Sequence, residues 1–328
     1  MGGIGIVNNP RSARNRRHPD TGARLARLLG GDGEVRDAAT PEELQRAVEA
    51  FRAAGIDTLG INGGDGTNHV VLSAVARAWG DAPLPRLLVL RGGTMNTLAE
   101  NHRIHGSPER ILHEALGRRR AGQPLPAADR DLLRVEADGG PPGYGFIFAT
   151  GGAVVFLERY YASRRPSPLR AWALVARAAL SALVDGPLAR AITARQPLRV
   201  EADGEEWPDA SYLTLAAGTV PSMGLGFRAL ARCEEQPGFF HAVGVHGSLP
   251  QVARLLPRVH RGAPWRRRAA LDAVARELLV EGEGVRFTVD GDLYGPSRRL
   301  RLSTGPAIQV ILPPGAARPA FDRARGRD

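Results

Sequence analysis

The chain has 328 residues, of which 43% are hydrophobic and 24% charged, and its formal net charge is +10. These proportions are those of a folded globular protein, and the length suffices for two domains that each bury a core. The sequence contains no Lys, so apart from His every basic side chain is Arg. The absence of Lys excludes a Walker-type P-loop, in which a Lys contacts the phosphates.

Membrane spans and disulfides are also excluded at this level. No run of about 18 apolar residues occurs, so we predict no transmembrane helix. The first residues, MGGIGIVNNP, lack the basic region and apolar core of a signal peptide. Cys233 is the only Cys in the chain, which fits a reducing compartment. We therefore predict a cytoplasmic protein.

The first part of the chain alternates strand and helix patterns. Apolar runs bounded by turn residues predict strands over residues 3–9, 57–62 and 86–90. Thr40-Pro41-Glu42-Glu43 predicts a helix start, with Thr40 as N-cap and Glu43 completing a capping box. We expect helices over 42–54 and 68–79. This alternation predicts a parallel sheet covered by helices.

A Pro-rich connection over residues 122–129 separates this part from a β-rich one. Segments of alternating apolar residues follow, the first two flanking a GGPPG turn within 132–150. Helices are expected at Leu169–Val184 and Leu249–His260. We predict an α/β domain over residues 1–128, a β-rich domain over 129–313, and a basic, disordered tail over 314–328.

Three loops in the first part follow predicted strands. They are NNPRSARN at 8–15, NGGDGTNH at 62–69 and RGGTMNT at 91–97. Loops at the carboxyl ends of parallel strands line one crevice, where ligands bind. Gly permits close backbone approach, and the helix after each loop directs its positive end at the same place. One Gly-rich loop is weak evidence, but three on consecutive strands predict a polyphosphate site.

These motifs resemble the diacylglycerol kinase catalytic family, which includes bacterial lipid kinases and the sphingosine and ceramide kinases. The matching stretches are Asn9-Pro10-Arg11-Ser12, Gly63-Gly64-Asp65-Gly66-Thr67 and Gly93-Thr94-Met95-Asn96. Near the C-terminus, Asp290-Gly291-Asp292 resembles the family's Asp-Gly-Glu. The GGDGT loop is shared with NAD kinases, and the other two motifs favour the lipid-kinase branch.

The resemblance implies a fold and an activity. The fold is a phosphofructokinase/NAD kinase-like α/β domain followed by a β-sandwich domain. The activity is Mg²⁺-dependent transfer of the γ-phosphoryl group of ATP to a hydroxyl of diacylglycerol or of a sphingoid or ceramide-type lipid. The nucleotide contacts that it implies are Asn9, Ser12, Thr40, Gly63, Gly64, Asp65, Gly66, Thr67, Asn68, His69, Val70, Thr94 and Asn96. It makes Asp292 the general base, and Asp65 either the residue that organises Mg²⁺ or, as proposed for the sphingosine kinase branch, the base.

Several positions differ from the family's pattern. His69-Val70 stands where the family often has Asn-Glu, and Thr97 where Asp is common. Sphingosine and ceramide kinases also lack that Asp, which weakly favours a sphingoid substrate. Asp292 is one methylene shorter than Glu. The stretch Glu234–Gly238 lacks the Asp-Asp-Gly with which bacterial relatives build a structural Mg²⁺ site.

The same residues allow structural interpretations. Asp65 could accept hydrogen bonds from turn amides, and Asp290-Gly291 is a favoured type I′ hairpin turn. For the helical segment 164–184 we favour a core-facing helix. The alternative is an interfacial helix whose basic residues meet anionic headgroups; these are Arg164, Arg165, Arg170 and Arg177.

The predicted partners follow from the implied activity. They are a lipid alcohol substrate and, transiently, an anionic membrane surface at which the protein is peripheral. Nucleic acid is not expected, because no aromatic platform is interleaved with the basic residues. A homodimer is left open. The alternative functions are an NAD kinase-like enzyme and a catalytically weak regulator that binds nucleotide or lipid.

Overall fold

The structure, a computed structural model, describes residues 2–162, 167–183, 186–208 and 211–314. The chain divides into two compact units. The first contains the chain up to Leu132 and again from Pro306 onward, and the second is Leu133–Gly305. Residues 306–313, which the predicted division assigns to the β-rich domain, thus lie in the first unit. The predicted tail lies outside the described residues from position 315 on.

The first unit is an α/β sheet with its helices. Its elements are β1 (Ile4–Asn8), α1 (Thr21–Leu29), β2 (Gly33–Asp37), α2 (Pro41–Ala53), β3 (Thr58–Asn62), α3 (Asp65–Trp79), β4 (Arg86–Val89), α4 (Thr97–Asn101) and α5 (Pro108–Arg120). The four strands are parallel in the order β2-β1-β3-β4. Every residue of β1 and β3 is buried, as expected for strands covered on both faces.

Local sequence explains where these elements begin. The Thr40 hydroxyl accepts the Glu43 N–H, and the Glu43 carboxylate accepts the Thr40 N–H, which is the predicted capping box of α2. The predicted strand ends differ from the observed ones by one residue at most. The largest difference is at α3, which starts at Asp65 instead of Asn68, because the Gly63-Gly64 pair ends the loop sooner than the apolar pattern indicates.

The second unit is mostly β-structure. The elements from its start onward are β5 (Ala127–Ala137), β6 (Gly143–Gly145), β7 (Ile147–Thr150), α6 (Gly152–Tyr161), α7 (Pro168–Leu183), α8 (Pro187–Ile192), β8 (Gln196–Pro197), β9 (Arg199–Ala202), β10 (Glu205–Glu206), β11 (Ser211–Tyr212), β12 (Thr214–Gly218), β13 (Phe240–Val245), α9 (Leu249–His260), β14 (Ala270–Ala275), β15 (Glu277–Val289) and β16 (Asp292–Ile311). Strand β5 begins in the first unit and ends in the second, and β16 begins in the second and ends in the first. Val310, in the part of β16 that belongs to the first unit, pairs with Leu87.

Antiparallel pairing organises this second unit. The strand order is β14-β13-β12-β7-β15-β16, with β9 also paired to β15. Its main core includes Phe148, Phe240, Leu278 and Val280. The predicted order, an α/β region followed by a β-rich one, is confirmed, and α9 has the predicted bounds. Helices α6 and α8 were not predicted. No helix in the described part of the chain is long and apolar enough to cross a membrane.

Candidate functional site

The loops after β1 and β3 begin at one edge of the first unit's sheet. Strand β1 lies between β2 and β3, so the chain passes from β1 to β2 on one side and then crosses to β3 on the other side. Such a reversal opens a crevice outside the carboxyl ends of the strands, where α/β sheets bind ligands. Asn8 and Asn62 are register partners at the ends of β1 and β3. Both loops therefore start at this crevice.

Hydrogen bonds join the three predicted loops. Asn9 donates from its backbone N–H to the Asn62 carbonyl over 3.0 Å and from its side-chain amide to the Thr67 hydroxyl over 2.8 Å. The third loop is attached to the first, because the Arg14 N–H donates to the Gly92 carbonyl over 3.1 Å. The structure thus brings all three motifs to one place in the first unit.

Glycine is required where the second and third loops meet. A Cβ atom added to Gly93 would lie 2.3 Å from the Gly64 Cα, and one added to Gly63 would lie 2.4 Å from the Thr67 Cβ. A larger residue at Gly93 would therefore force the two backbones apart. The loops present bare backbone to each other, which allows a phosphate to approach closely.

The N-terminus of α3 offers hydrogen-bond donors at this place. Its N-cap residue, Gly64, has no side chain to accept from the first amides. Free N–H groups and the positive end of the helix dipole favour an anion. The Ser12 hydroxyl is buried and has no hydrogen-bond partner among the described residues, and the same is true of Asn68 Oδ1. Buried polar groups normally have partners, so these two atoms are available to a ligand or to water.

Asp65 opens α3, and its carboxylate also contacts the start of α4. The Leu98 N–H donates to Asp65 Oδ1 over 3.3 Å. Burial raises the pKa of Asp65 above its ordinary value, and hydrogen bonds from the N–H groups of Thr97 and Leu98, the Thr97 hydroxyl and the Arg91 charge oppose this increase. One role of Asp65 is therefore to accept backbone amides at the start of α4, which do not belong to its own turn. Thr97, which stands where the family commonly has Asp, is a hydrogen-bond donor to it.

The other predicted contacts have varied surroundings. Thr40 caps α2 and accepts a backbone N–H of its first turn over 3.3 Å. Asn96, with a φ of 49°, bonds both the N–H and the carbonyl of Gly93 over 3.1 Å and so closes its own loop. His69 is buried in α3, whereas Val70 is 38% exposed. Two further predicted contacts are partly exposed in the same loops: Gly66 and Thr94. Contact of these side chains with a nucleotide stays a prediction.

A buried network of amides, which the sequence did not reveal, lies beneath the loops. The Asn15 side-chain amide donates to Asn8 Oδ1 over 3.0 Å and to the Asn9 carbonyl over 2.8 Å. The Asn62 amide donates to the same Asn8 oxygen over 2.7 Å, and Asn8 donates to Asp37 over 2.6 Å. These bonds fix the ends of three strands relative to one another. Amides that end all-apolar strands are the signal by which sequence analysis could have found the network.

The Asp-Gly motif near the C-terminus is the two-residue turn between β15 and β16. Asp290 and Gly291 have φ values of 47° and 93°, as a type I′ turn requires. The Asp290 carboxylate accepts the N–H of Phe146 over 3.0 Å and that of Ile147 over 2.9 Å. The Asp290 N–H donates to the Ile147 carbonyl over 2.9 Å. Asp290 therefore has a structural role.

Two other turns of the second unit are built in the same way. Asp203-Gly204 joins β9 to β10 with φ values of 48° and 86°, and Asp138-Gly139 has values of 50° and 73°. In each, the Asp carboxylate accepts two consecutive backbone N–H groups of a neighbouring strand. In each, the Asp N–H donates to a carbonyl of that strand. An Asp-Gly turn thus fastens neighbouring strands at three places in this unit.

Asp292, two residues after Asp290, has different surroundings. No hydrogen bond reaches its carboxylate from the described residues, and burial raises its pKa to about 6. Two residues further along β16, Tyr294 stacks on Phe287 with ring centroids 5.4 Å apart. A carboxylate with this pKa is ionised at neutral pH and basic enough to accept a proton in a reaction.

Carboxylates for a metal ion do not cluster in the parts of the chain that the structure describes. No group of three or more His, Cys, Asp or Glu side chains there could hold one. In the stretch compared with the family's structural metal site, Glu235 pairs with Arg232 over 2.9 Å, and Arg232 also pairs with Asp272 over 2.8 Å. In the first unit, Asp65 could contribute a single ligand to a Mg²⁺ ion that phosphate groups also bind.

A comparison with protein families finds a match within the first unit. The family model of the diacylglycerol kinase catalytic domain matches residues 4–123. This range includes the three loops and the amide network, so the resemblance inferred from the motifs is confirmed for this part of the chain. Among curated proteins, none matches the chain.

Solved structures support the fold over nearly the whole chain. The crystal structure of a diacylglycerol kinase from Bacillus anthracis strain Sterne matches with a TM-score of 0.62 and 13% identity, covering 96% of this chain and 98% of that one. Yeast NADH kinase complexed with NADH matches with a TM-score of 0.51 and 12% identity, covering 95% and 84%. At such low identities these likenesses concern the fold alone.

Proposed function

We propose that this protein transfers the γ-phosphoryl group of ATP to a hydroxyl of a lipid alcohol, because residues 4–123 match the family model of the diacylglycerol kinase catalytic domain. Diacylglycerol and sphingoid or ceramide-type lipids are the candidate substrates. One observation carries the proposal: the joined loops 9–15, 63–67 and 91–97 with the free N-terminus of α3, which we call the phosphate cradle. Its buried, unpartnered Ser12 hydroxyl suits a phosphate oxygen.

The cradle would hold the triphosphate without any Lys. Backbone amides of α3 and of the glycine loops would donate to phosphate oxygens, and the Ser12 and Thr67 hydroxyls would complete the set. Mg²⁺, held by the phosphates and Asp65, would neutralise further charge. Phosphoryl transfer depends mostly on positioning and on such charge neutralisation, so these groups suffice for it.

Asp292 would accept the proton of the lipid hydroxyl. The hydroxyl oxygen forms a bond to the γ-phosphorus, the bond from that phosphorus to the β–γ bridging oxygen breaks, and ADP leaves. The raised pKa of Asp292, about 6, suits this role because its carboxylate is ionised at neutral pH and has no hydrogen-bond donor to compete for it among the described residues. A water-insoluble substrate would require the protein to meet an anionic membrane surface transiently.

The decisive experiment is an acceptor panel with γ-labelled ATP. Diacylglycerol, monoacylglycerol, sphingosine and ceramide are offered in mixed micelles, and NAD in solution. Label is expected in one class of lipid and not in NAD. Label in NAD alone would establish the NAD kinase-like alternative, which the shared GGDGT loop keeps open. Binding of ATP without turnover on any acceptor would instead establish a nucleotide-binding regulator.

The cradle is tested separately by ATP binding. Gly93→Ala places a Cβ 2.3 Å from the Gly64 Cα and should weaken ATP binding about tenfold or more, because misplacement by about 1 Å is costly in such sites. Gly117→Ala is the control, since its Cβ would meet nothing within 4 Å. Calorimetry with ATP measures both. Equal affinities would place the nucleotide elsewhere.

A further inference from the structure

Helix α7 exposes apolar side chains on one side. Leu169 is 79% exposed, Trp172 48% and Val175 37%, at a spacing of three residues. Ala171, on the packed side, is 1% exposed. The favoured interpretation, in which the apolar residues of this helix face the core, is therefore wrong for Leu169, Trp172 and Val175. Arg164, Arg165 and Val184 of the predicted segment lie outside the described residues.

Helix α9 has the same character. Leu249 is 37% exposed and Leu256 40%, seven residues apart on one face, while Leu255 and Val259 are buried. The two helices meet where the Trp172 ring lies 6.4 Å from the His260 ring. Nine large apolar side chains are exposed in the described part of the chain, and five of them lie on α7 and α9. The exposed apolar surface is thus concentrated on this pair of helices.

The segments that contain the two helices carry charges of one sign. Neither the segment 160–184 nor the segment 236–271 contains an Asp or a Glu. Eight arginines lie on or beside the two helices: Arg170, Arg177, Arg254, Arg258, Arg261, Arg266, Arg267 and Arg268. Within the described ranges none of them forms an ion pair, whereas Arg199 and Arg301 of the same unit each pair with Glu. The surface is apolar and basic together, with its positive charge uncompensated.

We propose that α7 and α9 form a docking surface for a membrane that contains anionic lipids. Leu and Trp side chains would enter the headgroup boundary while the arginines meet lipid phosphates, the combination by which amphipathic helices bind membranes. A second copy of the chain fits less well, because two such faces would bring uncompensated arginines together. Nucleic acid fits less well too, since Trp172 is the one aromatic ring among the exposed apolar side chains described on the two helices, and single strands bind to a series of stacked rings.

The biological purpose of this surface rests on the proposed function, because a lipid kinase must take its substrate from a bilayer. The docking itself does not need catalysis. The two proposals can therefore fail independently.

Vesicle binding tests the surface directly. The full chain is sedimented with vesicles of phosphatidylcholine alone or with about 30% phosphatidylglycerol, since anionic lipid supplies the electrostatic attraction. Binding should require the anionic lipid and weaken as salt rises. Leu169→Glu with Leu256→Glu, and separately Arg254→Glu with Arg258→Glu, should each reduce partitioning about tenfold or more. Arg298→Glu is the charge-matched control, because Arg298 belongs to the same unit, is exposed and pairs with Glu283.

The proposal would be overturned if the wild-type chain did not bind anionic vesicles, or if both double variants bound them as wild type does with unchanged melting temperatures. A wild-type dimer that the variants convert to a monomer would show instead that this surface binds a second copy of the chain. Tighter binding to single-stranded DNA than to vesicles would overturn it as well. Activity on a water-soluble, short-chain diacylglycerol separates the two proposals. Surface variants should retain it. A wild-type chain that binds vesicles but phosphorylates no lipid would refute the kinase and leave the docking surface intact.

Discussion

Two hairpins of the second unit have nearly the same sequence and different properties. Asp203-Gly204-Glu205 and Asp290-Gly291-Asp292 both form a type I′ turn whose first carboxylate accepts two backbone N–H groups. The acidic residue after each turn differs in its surroundings. Glu205 is exposed, whereas burial raises the pKa of Asp292 to about 6. The local motif builds the turn, and burial makes one of the two acids basic enough for chemistry.

The largest expected difference between the two hairpins is catalytic. Asp292→Asn should lower kcat about 10²- to 10⁴-fold, the usual contribution of a general base. Glu205→Gln, the matched control, should leave kcat unchanged. Steady-state rates on the phosphorylated lipid measure both. Equal rates for the two variants would remove Asp292 from the reaction.

The pH dependence of the wild-type rate is a second test of Asp292 as the base. A base must be ionised to accept a proton, so kcat/KM should fall about tenfold per pH unit below the pKa of Asp292, which is about 6. Initial rates between about pH 4.5 and pH 8 give the profile. In Glu205→Gln the break should stay where it is. A rate that is flat through pH 6 would show that another group accepts the proton.

Stability should separate the first carboxylates of the two turns. Asp290→Ala leaves the N–H groups of Phe146 and Ile147 without an acceptor in a buried place, and should cost about 2 to 3 kcal/mol. Asp203→Ala removes the same kind of bonds in an exposed place, where water replaces the carboxylate, and should cost about 1 kcal/mol or less. Both substitutions place Ala at the same positive φ, so that strain cancels in the comparison. Urea unfolding measures the two values, and equal costs would contradict the argument from burial.

The smallest expected effect is a gain in stability instead of a loss. The pKa of Asp292 is raised, so the folded state favours its neutral form, and the stability linked to that form is lost as the pH rises from about 4 through about 6. Asp292→Asn should therefore stabilise the protein at pH 7, by about 1 kcal/mol for this partly exposed group. The gain should disappear near pH 4. A variant that is less stable than wild type at pH 7 would show an attractive contact of the carboxylate.

Much of the first unit could be predicted because its signals are local. The Thr40-Pro41 start of α2, the strand ends and the three glycine loops each depend on a few neighbouring residues. The amide network of Asn8, Asn15 and Asn62 could not be predicted, since its members are up to 54 positions apart and meet only through strand pairing. For the same reason the hydrogen bonds from Thr97 and Leu98 to Asp65 were not expected.

In the second unit, local signals predicted less of what matters for function. Periodicity predicts α7 as a helix, but it cannot say which apolar residues are packed, because both of its faces carry them. Exposure of Leu169 and Trp172 depends on how the helix lies against the rest of the unit.

By itself the sequence determined the turns, the caps and the order of the motifs, since backbone geometry at Gly, Pro and Asp is decided within a few bonds. Only the tertiary structure decided which acid is basic, which amides share a network and which helices face outward. Those properties depend on burial and on partners distant along the chain. Asp292 and Glu205 show this most directly, because the same short pattern precedes both.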